Sequence, residues 1–161
     1  MIQITQERSL QTDGEALSLY EQDILLWVEE IVAKLKARDF ENLDFENLIE
    51  EVESLGISQR KELLSRLTVI LAHILKRIYV NLPYDYNGWE RTISTQRLHL
   101  RVLLKKVPSL KTHWDSSFED AWEIALQTVQ ADYPKVIFPD RFPYATDVET
   151  LLNKKYWEIE S

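Results

Sequence analysis

Arg66 and His73 are the two residues whose types and spacing could support catalysis in this chain. On a helix, this spacing puts them two turns apart on one face. Near neutral pH a histidine can remove the proton from a ribose 2′-hydroxyl, and an arginine can neutralise the charge that develops on the phosphate. With Glu50 and Glu53 to orient them, the pair predicts, as one hypothesis, metal-independent cleavage of an RNA backbone.

The spacing of Arg66 and His73 resembles the arginine–histidine motif of HEPN-type ribonucleases. This resemblance implies an all-helical protein in which the two residues attack and stabilise the RNA backbone, usually across a dimer. Leu67 follows the arginine, where the motif commonly has a polar residue. Because the motif fixes only two positions, helix-rich chains also match it by chance, and the alternative is that both residues are structural.

Two sets of charged residues are expected to meet at the rim of the core. They are the acids Glu46, Glu50 and Glu53 of a second helix and the bases Arg66, His73, Arg77 and Arg97 of a third and a fourth helix. We interpret them as partly buried ion pairs that set helix register. A metal site that uses His73 is the alternative, but di-metal bundles repeat a Glu-x-x-His motif that this chain lacks. The sequence therefore predicts no metal and no cofactor.

Gln96 and Trp89 are the remaining candidates for ligand binding. Gln96 is the single polar residue at the centre of an otherwise apolar helix face. It could fix a ligand, although a core glutamine more often bonds a neighbouring backbone group or carboxylate. Trp89, like Trp27, is more typical of a core anchor than of a stacking platform. No P-loop, dinucleotide fingerprint, nucleophile elbow or zinc motif occurs, which removes support for most common enzyme classes.

Composition places these residues in an all-α protein. The 161 residues are 45% hydrophobic and 29% charged, with only 3 glycines and 5 prolines, which favours helices over hairpins. With no cysteine, disulfides, thiolate metal sites and cysteine nucleophiles are excluded. The start of the chain lacks the features of a signal peptide, and no stretch is apolar enough to span a membrane. We expect a cytoplasmic protein that does not enter the membrane.

The net charge of −8 argues against general nucleic-acid binding, which depends on basic side chains. The charge is unevenly distributed, because residues 1–59 sum to −10, residues 60–106 to +7 and residues 107–161 to −5. The simplest interpretation is that the basic middle pairs with its acidic flanks within one fold. A local basic surface that binds RNA is the alternative.

Hydrophobic periodicity predicts a single-domain bundle of about five main helices and a short C-terminal helix, with residues 1–17 as a flexible arm and residues 18–161 as the domain. The main helices are expected at Ser18–Arg38, Asp44–Leu55, Ser58–Val80, Gly88–Val107 and from Leu110 through Val129. Asp44 is the predicted N-cap of the second helix, and Gly56 is predicted to end it. Residues 81–87 are expected to be a turn-rich connection. Thr146 and Glu149 have the spacing of a capping box for the last helix.

Several segments resemble the DUF29 family, a domain of unknown function abundant in cyanobacteria. The resemblance covers roughly residues 20–155 and rests on Glu50–Gly56, Leu71–Lys76, Trp89, Gln96-Arg97, Pro108-Ser109-Leu110 and Phe142-Pro143-Tyr144. It implies an all-α bacterial protein with no established activity. After Lys76 the family usually has an aromatic residue and then a Gln-Pro turn, whereas this chain has Arg77 and Asn81-Leu82-Pro83.

The leading expectation is therefore a non-enzymatic helical module that acts through protein contacts. Such a module could be a regulator or one half of a small bacterial two-protein system, with a homodimer possible. The alternative is the ribonuclease hypothesis with Arg66 and His73.

Overall fold

The computed structural model describes residues 16–158, and every regular element in that range is helical. The helices are α1 (Leu19–Gln22), α2 (Ile24–Lys36), α3 (Phe45–Tyr79), α4 (Pro83–Lys106), α5 (Trp114–Asp132) and α6 (Val148–Asn153), with a 3₁₀ helix at Pro108–His113. The predicted all-α helical bundle is confirmed. The predicted arm lies mostly outside the described residues.

The chain divides into two compact units, Met1–Val52 and Glu53–Ser161, each with an apolar cluster of its own. We call them the first and the second unit. That residues 18–161 act as one domain stays a prediction.

The first unit is built around a small cluster on α2. Trp27, Ile31 and Leu43 are buried, and the Trp27 indole Nε1 donates to Asp44 Oδ2 at 3.0 Å. Asp44 Oδ1 also accepts from the backbone N of Asn47 at 3.4 Å, so the predicted N-cap is confirmed. These contacts fix the start of α3 against α2.

The predicted first helix is interrupted at Asp23. This residue has an extended backbone, with φ −154°, and its carboxylate accepts from the backbone N of Leu25 and Leu26, both at 3.1 Å. A side chain that caps a new helix competes with continuation of the old one, which separates α1 from α2. Tyr20 of α1 donates its hydroxyl to Glu51 at 2.6 Å, and this hydrogen bond raises the pKa of Tyr20 to about 12.

The predicted second and third helices are a single helix, α3, so the expected break at Gly56 is wrong. No described glycine has a positive φ, and a Cβ placed on Gly56 would meet nothing within 4 Å. Gly56 therefore has helical geometry and open surroundings. A glycine inside a helix costs about 1 kcal/mol relative to alanine, which weakens a helix without ending it.

The second unit is a helical bundle formed by the later part of α3 with α4, α5 and α6. Its most buried aliphatic side chains are Leu63, Leu67, Ile70, Leu71, Ile74, Ile93, Leu100 and Leu151. Phe138 is buried in this core, and Phe142 and Tyr144 pack against it. Each buried aliphatic side chain contributes about 1.5–3 kcal/mol, which makes this cluster the main source of stability.

Three further boundaries differ from the predictions. Helix α4 begins at Pro83, so residues 83–87 are helical and not part of a connecting segment. A proline is well suited to the first position of a helix, because the N–H that it lacks would have no partner there. The fifth helix is preceded by the 3₁₀ helix and begins at Trp114. The cap of α6 is Asp147, whose side chain accepts from Thr150 N at 3.0 Å, and not Thr146.

Candidate functional site

Arg66 on α3 is the centre of a polar cluster between α3 and α4. Its Nε and Nη2 donate to Glu62 Oε1 at 3.0 and 2.9 Å. Its Nη1 contacts Gln96 Oε1 at 3.0 Å and His99 Nδ1 at 2.9 Å. Because a guanidinium has no acceptor, Nδ1 of His99 must accept, which assigns the ring proton to Nε2. The side-chain oxygen of Gln96, the polar residue in the apolar stripe of α4, is thus used by Arg66.

A surface pocket of about 300 Å³ opens beside this cluster. It is lined by Gln59, Glu62, Arg66, His99, Val102, Leu103 and Lys106. Two exposed groups, His99 and Lys106, add positive or proton-donating character, but Arg66 is already engaged by a carboxylate. Sequence reasoning did not identify His99, although it lies one turn after Gln96 on α4.

His73 has a different environment from Arg66 and does not line that pocket. It is half-buried, its Nδ1 lies 2.8 Å from the carbonyl oxygen of Val69, and its Nε2 lies 3.4 Å from Lys76 Nζ. Since a carbonyl only accepts and an ammonium only donates, the ring is the neutral tautomer with its proton on Nδ1. Burial, together with the charge of Lys76, lowers the pKa of His73. Arg66 and His73 share α3 without sharing a site.

The expected ion pairs from Glu46, Glu50 and Glu53 to a facing helix with Arg66, His73 and Arg77 are wrong, because all six residues lie on α3; Arg97 lies on α4. Glu53 precedes Arg66 by 13 residues on one continuous helix, which separates them by about 20 Å along its axis. Glu50 lies still earlier on α3. The carboxylate that pairs with Arg66 is Glu62.

Arg77 joins α3 to α4 through a separate pair. Its Nε donates to Glu90 Oε1 at 2.6 Å, and its guanidinium lies 3.8 Å from the centre of the Tyr86 ring. Trp89 is buried on the same helix, with its ring 6.0 Å from that of Tyr86. These contacts join α3 to the aromatic residues near the start of α4.

Arg97 is buried, with 6% of its surface exposed, and holds the end of α6. Its Nη2 donates to the carbonyl oxygen of Lys154 at 2.6 Å, and Arg101 Nη2 donates to Asn153 Oδ1 at 2.9 Å. A guanidinium at a helix C-terminus satisfies free carbonyls and complements their partial negative charge. Burial lowers the pKa of Arg97, while the phenol of Tyr156 favours its charged form. The geometry favours a structural role for Arg97.

Apolar surface in the first unit is the feature that sequence reasoning missed. Apolar residues that recur at helical spacing are expected to face a core, but six such positions are exposed, which corrects that expectation: Ile24 (48%), Val28 (40%), Leu35 (39%), Phe45 (51%), Ile49 (55%) and Val52 (59%). Leu25 and Val32 of α2 are also 65% and 41% exposed. The cluster around Trp27 covers one edge of the apolar arc of α2, so the rest of that arc meets solvent.

The described part of this unit is acidic. Residues 16–52 contain 3 lysines and arginines and 10 aspartates and glutamates, a net charge of −7. An acidic surface repels the phosphate backbone of a nucleic acid.

Metal sites and membrane-spanning helices are both absent from the described residues. Between residues 16 and 158, no group of three or more His, Asp or Glu side chains could hold a metal ion. In the same range, none of the helices combines the length and hydropathy needed to cross a bilayer.

Comparison with known proteins assigns a family. The model of "Domain of unknown function DUF29" matches residues 19–157. No curated protein and no solved structure matches the chain. The family match extends over nearly all described residues of both units, in agreement with the resemblance in the sequence. The chain belongs to the DUF29 family.

Proposed function

We propose that this chain is a non-enzymatic module that binds a protein through the exposed apolar faces of α2 and of the first two turns of α3. The observation that carries the proposal is the exposure of ten large apolar side chains within residues 24–52, from 39% to 65% of each surface. Single exposed apolar residues are ordinary, but a series along two adjacent elements is typical of an interface.

The energetic reason is the cost of leaving this surface in water. Covering apolar area contributes about 25 cal/mol per Å², so covering several half-exposed Leu, Ile, Val and Phe side chains is worth several kcal/mol. Among the described residues of the first unit, three apolar side chains are buried, Trp27, Ile31 and Leu43, and this small core leaves the exposed faces of α2 and α3 uncovered. A bound protein would supply it.

The polar groups of the second unit support a structural role more than a catalytic one. Arg66 is held by Glu62 and Gln96, and both ring nitrogens of His73 already have contacts within α3. The ribonuclease alternative requires His73 to act as a base with access to RNA. The contacts of His73 with Val69 and Lys76 do not favour that role. A chain without cysteine is compatible with the reducing cytoplasm, where this proposal places it.

The test compares two variants in an affinity capture from the source cells. Val28→Glu combined with Val32→Glu puts two charges on α2, and Leu98→Glu combined with Val102→Glu does the same on α4, where both residues are also exposed. We expect a specific protein to be captured by the native chain and by the α4 variant, and lost with the α2 variant. Capture unaffected by the α2 changes would contradict the proposal.

Activity on RNA is the parallel test. Purified native chain and His73→Ala are incubated with mixed RNA. We expect no cleavage by either protein. Cleavage by the native chain that disappears in His73→Ala would replace the proposal with the ribonuclease hypothesis.

A further inference from the structure

The exposed face of α2 has the spacing of a two-helix seam. Leu25, Val28, Val32 and Leu35 follow one another at intervals of three, four and three residues, and all four are at least 39% exposed. This alternation is that of the a and d positions of a coiled coil, where each side chain packs between residues of a facing helix. The partner of such a seam is another helix with an apolar stripe.

The order of side chains along the seam is the same read in either direction. Leucines lie at both ends and valines in the middle. Antiparallel pairing of two identical α2 helices would place Leu25 opposite Leu35 and Val28 opposite Val32, around a two-fold axis near residue 30. A two-fold interface uses the same patch on both copies and requires this self-complementarity.

The charges of α2 also suit antiparallel pairing with itself. Acidic Glu29 and Glu30 lie in the middle of α2, and Lys34 and Lys36 lie in its last turn. Glu30 already pairs with Lys34 of the same helix at 2.8 Å. Glu29 and Lys36 remain, one residue after Val28 and Leu35, on the flank of the seam. Antiparallel pairing brings the acidic flank of each copy toward the basic end of the other, whereas parallel pairing aligns like charges.

From the seam, its symmetry and its charges, we infer that the protein bound by α2 is a second copy of this chain, paired antiparallel through Leu25, Val28, Val32 and Leu35. This inference rests on the proposed function, because it names the partner of the same face. It needs only residues of α2.

Cysteine crosslinking tests both the partner and its direction. The native chain contains no cysteine, so each introduced thiol is unique. Under mild oxidation, we expect a mixture of Leu25→Cys and Leu35→Cys chains to give a mixed disulfide dimer, while Leu25→Cys alone gives little. A mixture of Leu98→Cys and Val102→Cys chains is the control and should form no disulfide-linked dimer, because α4 lies outside the inferred seam. Efficient dimer from Leu25→Cys alone would indicate parallel pairing and overturn the inference.

A charge reversal provides the quantitative test by sedimentation equilibrium. Glu29→Lys or Lys36→Glu alone should raise the dimer dissociation constant about fivefold, because each charge occurs twice in a two-fold interface. The double variant should return it to within about twofold of the native value, since opposite charges meet again. Additive weakening in the double variant would contradict the pairing.

The mass of the native chain separates the two proposals. A dimer that becomes monomeric with Val28→Glu and Val32→Glu supports both. A native chain that is monomeric at all concentrations, yet captures a different protein through α2, overturns the second copy and keeps the proposed function. A monomer that captures nothing overturns both.

Discussion

Replacing Gly56 by alanine asks whether α3 is one helix or two. In the structure Gly56 lies inside α3, has no positive φ and would place a Cβ with nothing within 4 Å. Alanine is better than glycine by about 1 kcal/mol in a helix interior, and no steric cost offsets this gain. We therefore expect Gly56→Ala to raise the free energy of unfolding by about 0.5–1 kcal/mol.

The opposite result follows if Gly56 ends a helix, as the sequence suggests. A terminal glycine of that kind has a left-handed backbone, in which a Cβ costs about 1–2 kcal/mol. The two structures thus predict changes of opposite sign, separated by about 2 kcal/mol.

The assay is urea denaturation followed by far-UV circular dichroism, at matched protein concentration. Gly88→Ala is the matched control, because Gly88 lies inside α4 and also has nothing within 4 Å of its Cβ position. Both variants should be stabilised and should gain helical signal. Destabilisation by Gly56→Ala with stabilisation by Gly88→Ala would refute the continuous α3.

Three further changes probe the polar groups. Asp44→Ala should lower the free energy of unfolding by about 1–2 kcal/mol, because it removes the N-cap of α3 and the acceptor of the Trp27 indole N–H. Urea denaturation midpoints measure this loss, and an unchanged midpoint would contradict the capping role of Asp44. Arg97→Ala should cost about 2 kcal/mol or more, because it removes the hydrogen bond to the carbonyl of Lys154 and leaves a cavity at a buried position. Exposed Arg91→Ala should change stability by less than about 0.5 kcal/mol, and equal effects would refute the structural role. Burial lowers the pKa of His73 from its ordinary 6.5, so the unfolded chain binds a proton more readily than the folded chain. The contribution of His73 to the free energy of unfolding is therefore complete above about pH 6.5 and is lost as the pH falls below that value. Between about pH 7.5 and pH 5, the His73→Gln variant should lose less stability than the native chain. Urea midpoints at both pH values measure this difference.

The second unit could be predicted well from the sequence because its periodicity and its burial agree. Leu63, Leu67 and Ile70 recur at helical spacing, and several helices contribute apolar side chains on all sides of them. The positions of α4 and α5 follow from the same agreement. Local chemistry moved the boundaries at Pro83, Trp114 and Asp147.

The first unit could not be predicted in this way, because periodicity shows that a helix has an apolar face and not what covers it. Val28 and Ile49 belong to apolar stripes as regular as those of the core, yet both are exposed. Gly56 added a second error, since a glycine signals a helix end only where the backbone turns left-handed.

The polar cluster was predicted in part. Arg66 and Gln96 were identified as unusual, and the structure brings them together at 3.0 Å. The acids expected to meet Arg66 are Glu46, Glu50 and Glu53, because the sequence predicts two helices where the structure has the single helix α3. A continuous α3 makes Glu62, one turn before Arg66, the available carboxylate.

The most direct measurement of the central claim is thiol alkylation inside the source cells, where any partner is present. Val28→Cys on α2 and Val102→Cys on α4 are compared, because both positions are exposed in the chain itself, at 40% and 59%. If the α2 face is an interface, the cysteine at position 28 should react at least about tenfold more slowly than the cysteine at position 102, and unfolding in urea should equalise the two rates. Equal rates in the folded protein within cells would mean that α2 is uncovered and would contradict the account.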